Sequence, residues 1–259
     1  MDISNCLLNL IENLFVVLSH INIYDLIFID IETVPQFSSH EQLSGSMKEL
    51  WEAKHSFLKN ENERAEDSYL KRAGVYAEFA KIICISIAYF RIDKETKQRT
   101  FRIKSFSGND EKILLEEFTQ LANKNFDSDR FHFCGHNVRE FDIPFICRRL
   151  LINQLKFPDM LDVSGKRPWE MFDVDTLQLW KFGDYKHYTS LKLLTEILGV
   201  PTPKVDIEGK DVCRVYWQEN GLTRITEYCQ RDVITVARLL LLFKGDRQPL
   251  NDEDVIVVK

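Results

Sequence analysis

At 259 residues, 44% of them apolar, the chain lies near the upper limit of one hydrophobic core, so one domain with an insertion is expected. A formal net charge of -6 excludes a generally basic nucleic-acid coat and leaves room only for local basic strips with a small, salt-dependent phosphate footprint. Six cysteines (Cys6, Cys84, Cys134, Cys147, Cys213, Cys229) include no C-x-x-C pair and mostly lie in apolar segments, which favours reduced thiols in a cytoplasmic protein over zinc ligands or disulfides.

Cys6 to Leu18 is apolar-rich, but no Lys or Arg precedes it, and Asn9, Glu12 and Asn13 interrupt it. It therefore lacks both the basic leader of a signal peptide and the length of a membrane span. Leu7, Leu8, Ile11, Leu14, Phe15 and Leu18 recur at helical spacing, so residues 1–22 are expected to be an apolar extension that docks on the domain or is loosely held. Leu26 to Ile31 is apolar on both faces, the pattern of a central strand covered from both sides. Residues 41–75 are charged and poor in β-branched side chains, and read as a helical insertion. Ile82 to Phe90 and Arg99 to Phe106 flank the polar Asp93-Lys-Glu-Thr-Lys97 and read as an antiparallel hairpin.

Asn109 or Asp110 caps a helix through Ile113, Leu114, Phe118 and Leu121, and Phe131 to Cys134 follows as a short strand. Strand, helix and strand in that order predict a crossover into a parallel neighbour. Pro144 suits the first turn of a helix through Phe145, Ile146, Arg149 and Leu150, which puts Asp142 at its N-terminal edge. Phe172 to Asp175 reads as a last short strand, Ser190 to Leu198 as an amphipathic helix stopped by Gly199 and Pro201, and Asn220 to Leu242 as a long closing helix. No internal repeat or low-complexity tract interrupts this order.

Three short segments carry the chemistry. Asp30 and Glu32, two apart on the central strand, leave the same face at its carboxyl end, where open α/β sheets place ligands. Alone they read more readily as a solvated strand end. Asp232 lies beside the apolar stripe Ile225, Cys229, Val233, Val236, Leu240, Phe243, with Tyr228 one turn earlier on the same face. A carboxylate there is costly unless it is paired or metal-bound. With Asp142, the chain offers four carboxylates and a phenol, and carboxylates cluster only where a cation offsets their repulsion. The implied occupant is a hard divalent metal held by oxygen ligands, Mg²⁺ or Mn²⁺.

In order, Asp30-Ile-Glu32, Asn137-Val-Arg-Glu-Phe-Asp142 and Tyr228-Cys-Gln-Arg-Asp232 resemble the three motifs of the DEDDy 3′–5′ exonucleases. Phe28 to Gln36, Gly135-His-Asn137, Tyr188-Thr-Ser-Leu191 and Ile207-Glu-Gly209 resemble the stand-alone exonucleases related to the proofreading domain of family B DNA polymerases. Glu227 stands where the other branch of the superfamily has a histidine, which leaves Tyr228 as the tyrosine of the last motif. The resemblance covers residues 24–243 and implies an α/β, ribonuclease H-like fold: a mixed five-stranded sheet flanked by helices. The domain would span 23–245 with its insertion at about 41–75, followed by a tail at 246–259.

The resemblance further implies two metal ions held by Asp30, Glu32, Asp142 and Asp232, with Asp30 bridging them, Glu32 and Asp232 at the site of the attacking water, and Asp142 acting mainly through water. Tyr228 would orient the nucleophile. Thr33, Val34, Asn137, Phe141 and Tyr188 or Tyr185 are candidates for holding the substrate, although a residue such as Phe141 is more often simply core, and His136 is expected to be a loop hydrogen-bonder. Asp175 either supports the site or caps the helix that begins at Thr176. Arg139, Lys166, Arg167, Lys181, Lys186 and Lys204 are either a phosphate track or a solvated surface. The expected partners are single-stranded DNA or RNA 3′ ends, DNA preferred, with no membrane involved. No polymerase or helicase segment is evident, so if the protein proofreads or repairs it would work beside replication or repair proteins. A ribonuclease-D-like RNA trimming enzyme and an inactive nucleic-acid adaptor are the alternatives.

Overall fold

A computed structural model describes residues 18, 20–58, 63–167, 170, 172–184, 186–202 and 206–258. The helix read in the N-terminal extension, Tyr185 and Lys204 lie outside the described residues.

Among the described residues the strands form one six-stranded mixed sheet, with helices packed on it. Strand β1 (Leu26–Pro35) is followed by helices α1 (Gly45–Ser56) and α2 (Ala65–Arg72), then by the hairpin of β2 (Ala80–Ile92) and β3 (Arg99–Ser107). Helix α3 (Glu111–Asn125) leads to β4 (His132–Gly135), α4 (Asp142–Ile152), β5 (Val174–Asp175) and α5 (Thr176–Lys181). Helices α6 (Leu191–Leu198), α7 (Val212–Glu219) and α8 (Leu222–Phe243) and strand β6 (Val255–Val257) complete the chain. The strand order is β5-β4-β1-β2-β3-β6, with β1–β2 and β2–β3 antiparallel and the other pairs parallel.

β1 sits in the middle of the sheet because both of its faces are apolar. Ile27, Ile29 and Ile31 join the core shared with Leu115, Phe118, Phe145 and Ile146 of α3 and α4. Leu26 and Phe28 face the opposite core with Val233, Val236, Ala237 and Leu240 of α8. Each such side chain, fully buried, contributes about 1.5–3 kcal/mol relative to exposure. Asp110 caps α3 through Lys112 and Ile113 N–H, Ser190 caps α6 through Leu193 N–H, and Gly199 ends α6 in the left-handed region.

Two sequence expectations change, and one helix is added. The sheet has six strands rather than five, because Val255–Val257 pairs with Phe101–Ile103 at the edge. The crossover through α3 brings β4 beside β1 and not beside β3, since β2 and β3 occupy the other side as a hairpin. Helix α7 precedes the long helix and ends at Asn220, whose left-handed backbone (φ 52°) closes it before Gly221 opens α8. The insertion forms a satellite core in which buried Trp51 packs edge-on to Tyr69 and Phe79. It returns to β1 through a hydrogen bond from Thr33 Oγ1 to Gly74 O of 2.6 Å.

Candidate active site

The face of β1 that meets α8 reads Leu26, Phe28, Asp30, Glu32, Val34, so two carboxylates interrupt an apolar row. Phe28 belongs to one core and Val34 to another, with the acids in the seam between them. The pairing partner changes there. Glu32 lies opposite Cys84 but Thr33 lies opposite Ile82, so Ile83 is an extra residue of β2, a bulge of the kind that re-aims side chains beside functional sites. Helix α8 covers the seam with Tyr228, Cys229 and Asp232, between apolar Ile225 and Val233. Asp142, in the first turn of α4, reaches β1 from the other motif: its Oδ1 accepts from Ile31 N–H at 3.1 Å.

All five sequence-predicted catalytic residues therefore converge. Glu32 and Asp142 are buried, while Asp30 and Asp232 are partly exposed to a cleft. Burial pushes the Asp30 and Glu32 carboxyls well above the usual range, and Asp232 and Asp142 push both higher. Burial raises Asp142 to about 7, against its hydrogen bonds from backbone N–H groups. Burial raises Asp232 to about 6, with the Tyr228 hydroxyl holding it down. Tyr228 is raised by burial and then by Asp232, Glu32 and Asp30, so its hydroxyl is protonated at neutral pH. Where neighbouring carboxylates act on these four acids they are other members of the cluster or Asp175, and among the described residues no Lys or Arg is paired with any of them.

Asp30 Oδ2 is buried without a hydrogen-bond partner, and ligand atoms of Asp30, Glu32 and Cys229 lie within 4.8 Å of one another. An unpartnered buried oxygen amid uncompensated acids fits a divalent cation.

The second motif is held by its neighbours. Asp175 caps α5 through Leu177 and Gln178 N–H and also accepts from Asn137 N–H (2.9 Å) and Arg139 N–H (3.2 Å). It is thus both cap and support. Gly135 is required there, since a Cβ would stand 2.7 Å from Val138 Cβ and 3.0 Å from Ile29 O. Asn137 adopts φ 67°, and its Oδ1 is buried and unpartnered. His136 is a loop hydrogen-bonder: Nε2 contacts Thr189 O at 2.9 Å and Nδ1 contacts Thr176 Oγ1 at 3.0 Å, while burial lowers its pKa.

The cleft over the acids has a volume of about 540 Å³. Its floor includes Asp30, Tyr228 and Asp232, and Tyr188, Lys192, Glu208 and Arg231 are among its walls. Tyr188 is 65% exposed. Of the other substrate candidates, Val34 is fully buried against Ile83, Ile207 and Val212, so it cannot touch a nucleotide in this conformation. Phe141 packs on Phe145 with ring centroids 5.4 Å apart, beside the core. Thr33 spends its hydroxyl on Gly74 O. Missed in the sequence were Arg231, hidden as the residue before Asp232, and Lys192, which pairs with Glu208 across the cleft at 2.5 Å. Of the six basic candidates, those described do not line this cleft.

A mixed sheet flanked by helices, with a carboxylate cluster over its central strand, defines a ribonuclease H-like α/β fold with a candidate metal centre. A family model described as a predicted 3′–5′ exonuclease related to the exonuclease domain of PolB matches residues 75–255, and the chain belongs to that family. Asp142, Tyr228 and Asp232 fall inside the matched residues, and Asp30 and Glu32 precede them. No curated protein matches the chain. Among the described residues, no helix is long and apolar enough to cross a membrane.

Proposed function

We propose that the protein hydrolyses single-stranded nucleic acid from the 3′ end, DNA in preference to RNA, and releases nucleoside 5′-monophosphates. The observation that carries this reading is the set of four acids, buried or half-buried, with no Lys or Arg paired to them among the described residues and with the Tyr228 hydroxyl against Asp232. Asp30, Glu32, Asp142 and Asp232 would hold two divalent ions, Mg²⁺ or Mn²⁺. Such a pair activates the attacking water and stabilises the leaving 3′ oxygen.

The remaining work falls to the chain itself. Asp142 keeps one oxygen on Ile31 N–H, which fixes its rotamer and leaves the other oxygen for a ligand or a water. Tyr228 keeps its proton beside the Asp232 carboxylate, so its oxygen lone pairs can orient a water, and its raised pKa argues against a role as base. Exposed Tyr188 offers a stacking face for a terminal base, which tolerates any sequence. Arg231 and Lys192 supply positive charge for the phosphates above an acidic floor.

The test is release of mononucleotide from 3′-end-labelled and 5′-end-labelled single-stranded DNA and RNA. Hydrolysis is expected with Mg²⁺ or Mn²⁺ and none with EDTA. Faster turnover of RNA would favour the trimming enzyme, and nucleic-acid binding without hydrolysis in any metal would favour the adaptor.

A further inference from the structure

Cys229 is the one member of the cluster on α8 that the proposed hydrolysis does not use. Its side chain is fully buried, and its thiol donates to Asp30 O at 3.3 Å. Its sulfur and carboxylate oxygens of Asp30 and Glu32 lie within 4.8 Å of one another. The buried Asp30 Oδ2 that has no donor is part of the same group. One sulfur and two carboxylates make a mixed donor set. Mg²⁺ binds oxygen and has no use for the sulfur, whereas Zn²⁺ accepts thiolate and carboxylate together in tetrahedral sites. With bonds of about 2.0–2.3 Å, donors of one zinc site stand on the order of 3–4 Å apart, so rotamer adjustments would close the observed spacing.

We propose that Asp30, Glu32 and Cys229 form a second coordination mode of this centre, which captures a thiophilic divalent ion such as Zn²⁺ and blocks the hydrolytic arrangement. On binding, the metal–sulfur bond replaces the S–H bond, the proton passes to solvent, and the hydrogen bond from the thiol to Asp30 O is lost. No electron is transferred. Capture itself is independent of the exonuclease reading; only the blocking rests on it.

Cd²⁺ serves as the probe, because a cadmium–thiolate bond absorbs in the ultraviolet whether or not the protein hydrolyses anything. Wild type should show this absorption at one equivalent, and Zn²⁺ should compete it away. Cys229→Ser keeps the size of the side chain and a donor to Asp30 O. It should lose the absorption and weaken Zn²⁺ binding by about tenfold or more, the least expected when even a supporting group is lost. Cys84→Ser should leave both intact, although Cys84 neighbours Cys229. Full absorption in Cys229→Ser, or none in wild type, overturns the proposal. In Mg²⁺-dependent hydrolysis, Cys229→Ser should also resist added Zn²⁺. Wild type that shows the absorption but hydrolyses nothing would refute the exonuclease reading and leave the capture site standing.

Discussion

Two of the places where this protein buries acids treat them oppositely. Glu111, at the start of α3, is 7% exposed and accepts from Arg149 Nε at 2.8 Å, Ile82 N–H at 2.7 Å and Asn153 Nδ2 at 3.0 Å. Arg149 in turn donates to Ala77 O at 2.7 Å, so acid and base are both satisfied. Among the described residues the four acids beside α8 have no such counterpart, and Asp30, Glu32 and Asp142, already raised by burial, are each raised further by other acids of the cluster. A satisfied buried pair joins helices to the sheet, and an unsatisfied cluster keeps a place for something that binds. Burial of charge alone identifies neither; the partner list does.

The contrast breaks most visibly at Asp30. Asp30→Ala should lower single-turnover hydrolysis on the order of a thousandfold or more, since removing several kcal/mol of metal-borne stabilisation costs tenfold per about 1.36 kcal/mol. Its metal-free melting temperature should stay level or rise, as repulsion is relieved; a clear fall would put Asp30 among the structural acids. Arg149→Leu should do the reverse. It strands Glu111 and should cost about 3–5 kcal/mol of stability in denaturant unfolding. Hydrolysis per folded molecule should stay near that of wild type, and a matching loss of turnover would tie the pair to the site.

Tyr228→Phe keeps the ring and removes one hydroxyl, so stability should change little while turnover falls about ten- to a thousandfold. Turnover within about twofold of wild type would make Tyr228 a packing residue. The gentlest probe is pH. Asp142 at about 7 and Asp232 at about 6 hold protons in the folded state that the unfolded chain releases near the ordinary carboxylate value of about 3.9. The folded state therefore binds more protons between about pH 4 and 7, and metal-free stability should fall as pH rises through that window. The melting temperature should drop by several degrees, given about 2–4 °C per kcal/mol at this size, and millimolar Mn²⁺ should reduce the slope. A flat profile without metal would mean that these acids are compensated after all.

Much of the site was legible because its residues announce themselves locally. Asp30 and Glu32 end an apolar run, Asp142 shares a first turn with Pro144, and Tyr228 and Asp232 share a helix face, so each motif could be read locally, and the resemblance to the exonuclease motifs joined the three into one site. The caps Asp110 and Ser190 and the Gly199 stop were equally local. What escaped depends on tertiary placement. Glu111 and Arg149 are 38 residues apart and meet only when α4 packs behind the sheet. β6 is three residues whose only strand signal is an edge it must first find. Val34 looked like a substrate contact by its place after the first motif, yet its side of β1 continues into a core to which α7, a helix not expected from the sequence, contributes Val212, Val215 and Tyr216. Cys229 read as one more apolar residue of a stripe, and only the seam between two cores gives its sulfur carboxylate company.

Asp175 gathers four main-chain N–H groups from two segments, Asn137 and Arg139 on one side and Leu177 and Gln178 on the other. One carboxylate thus makes a loop and a helix start, some forty residues apart, into a single cooperative unit: neither can open without stranding a buried anion, so their fluctuations are shared. The same anion adds to the charge that Asp142 feels. The group that stiffens the second motif therefore also sharpens its appetite for a cation, which couples the rigidity of this corner to its affinity.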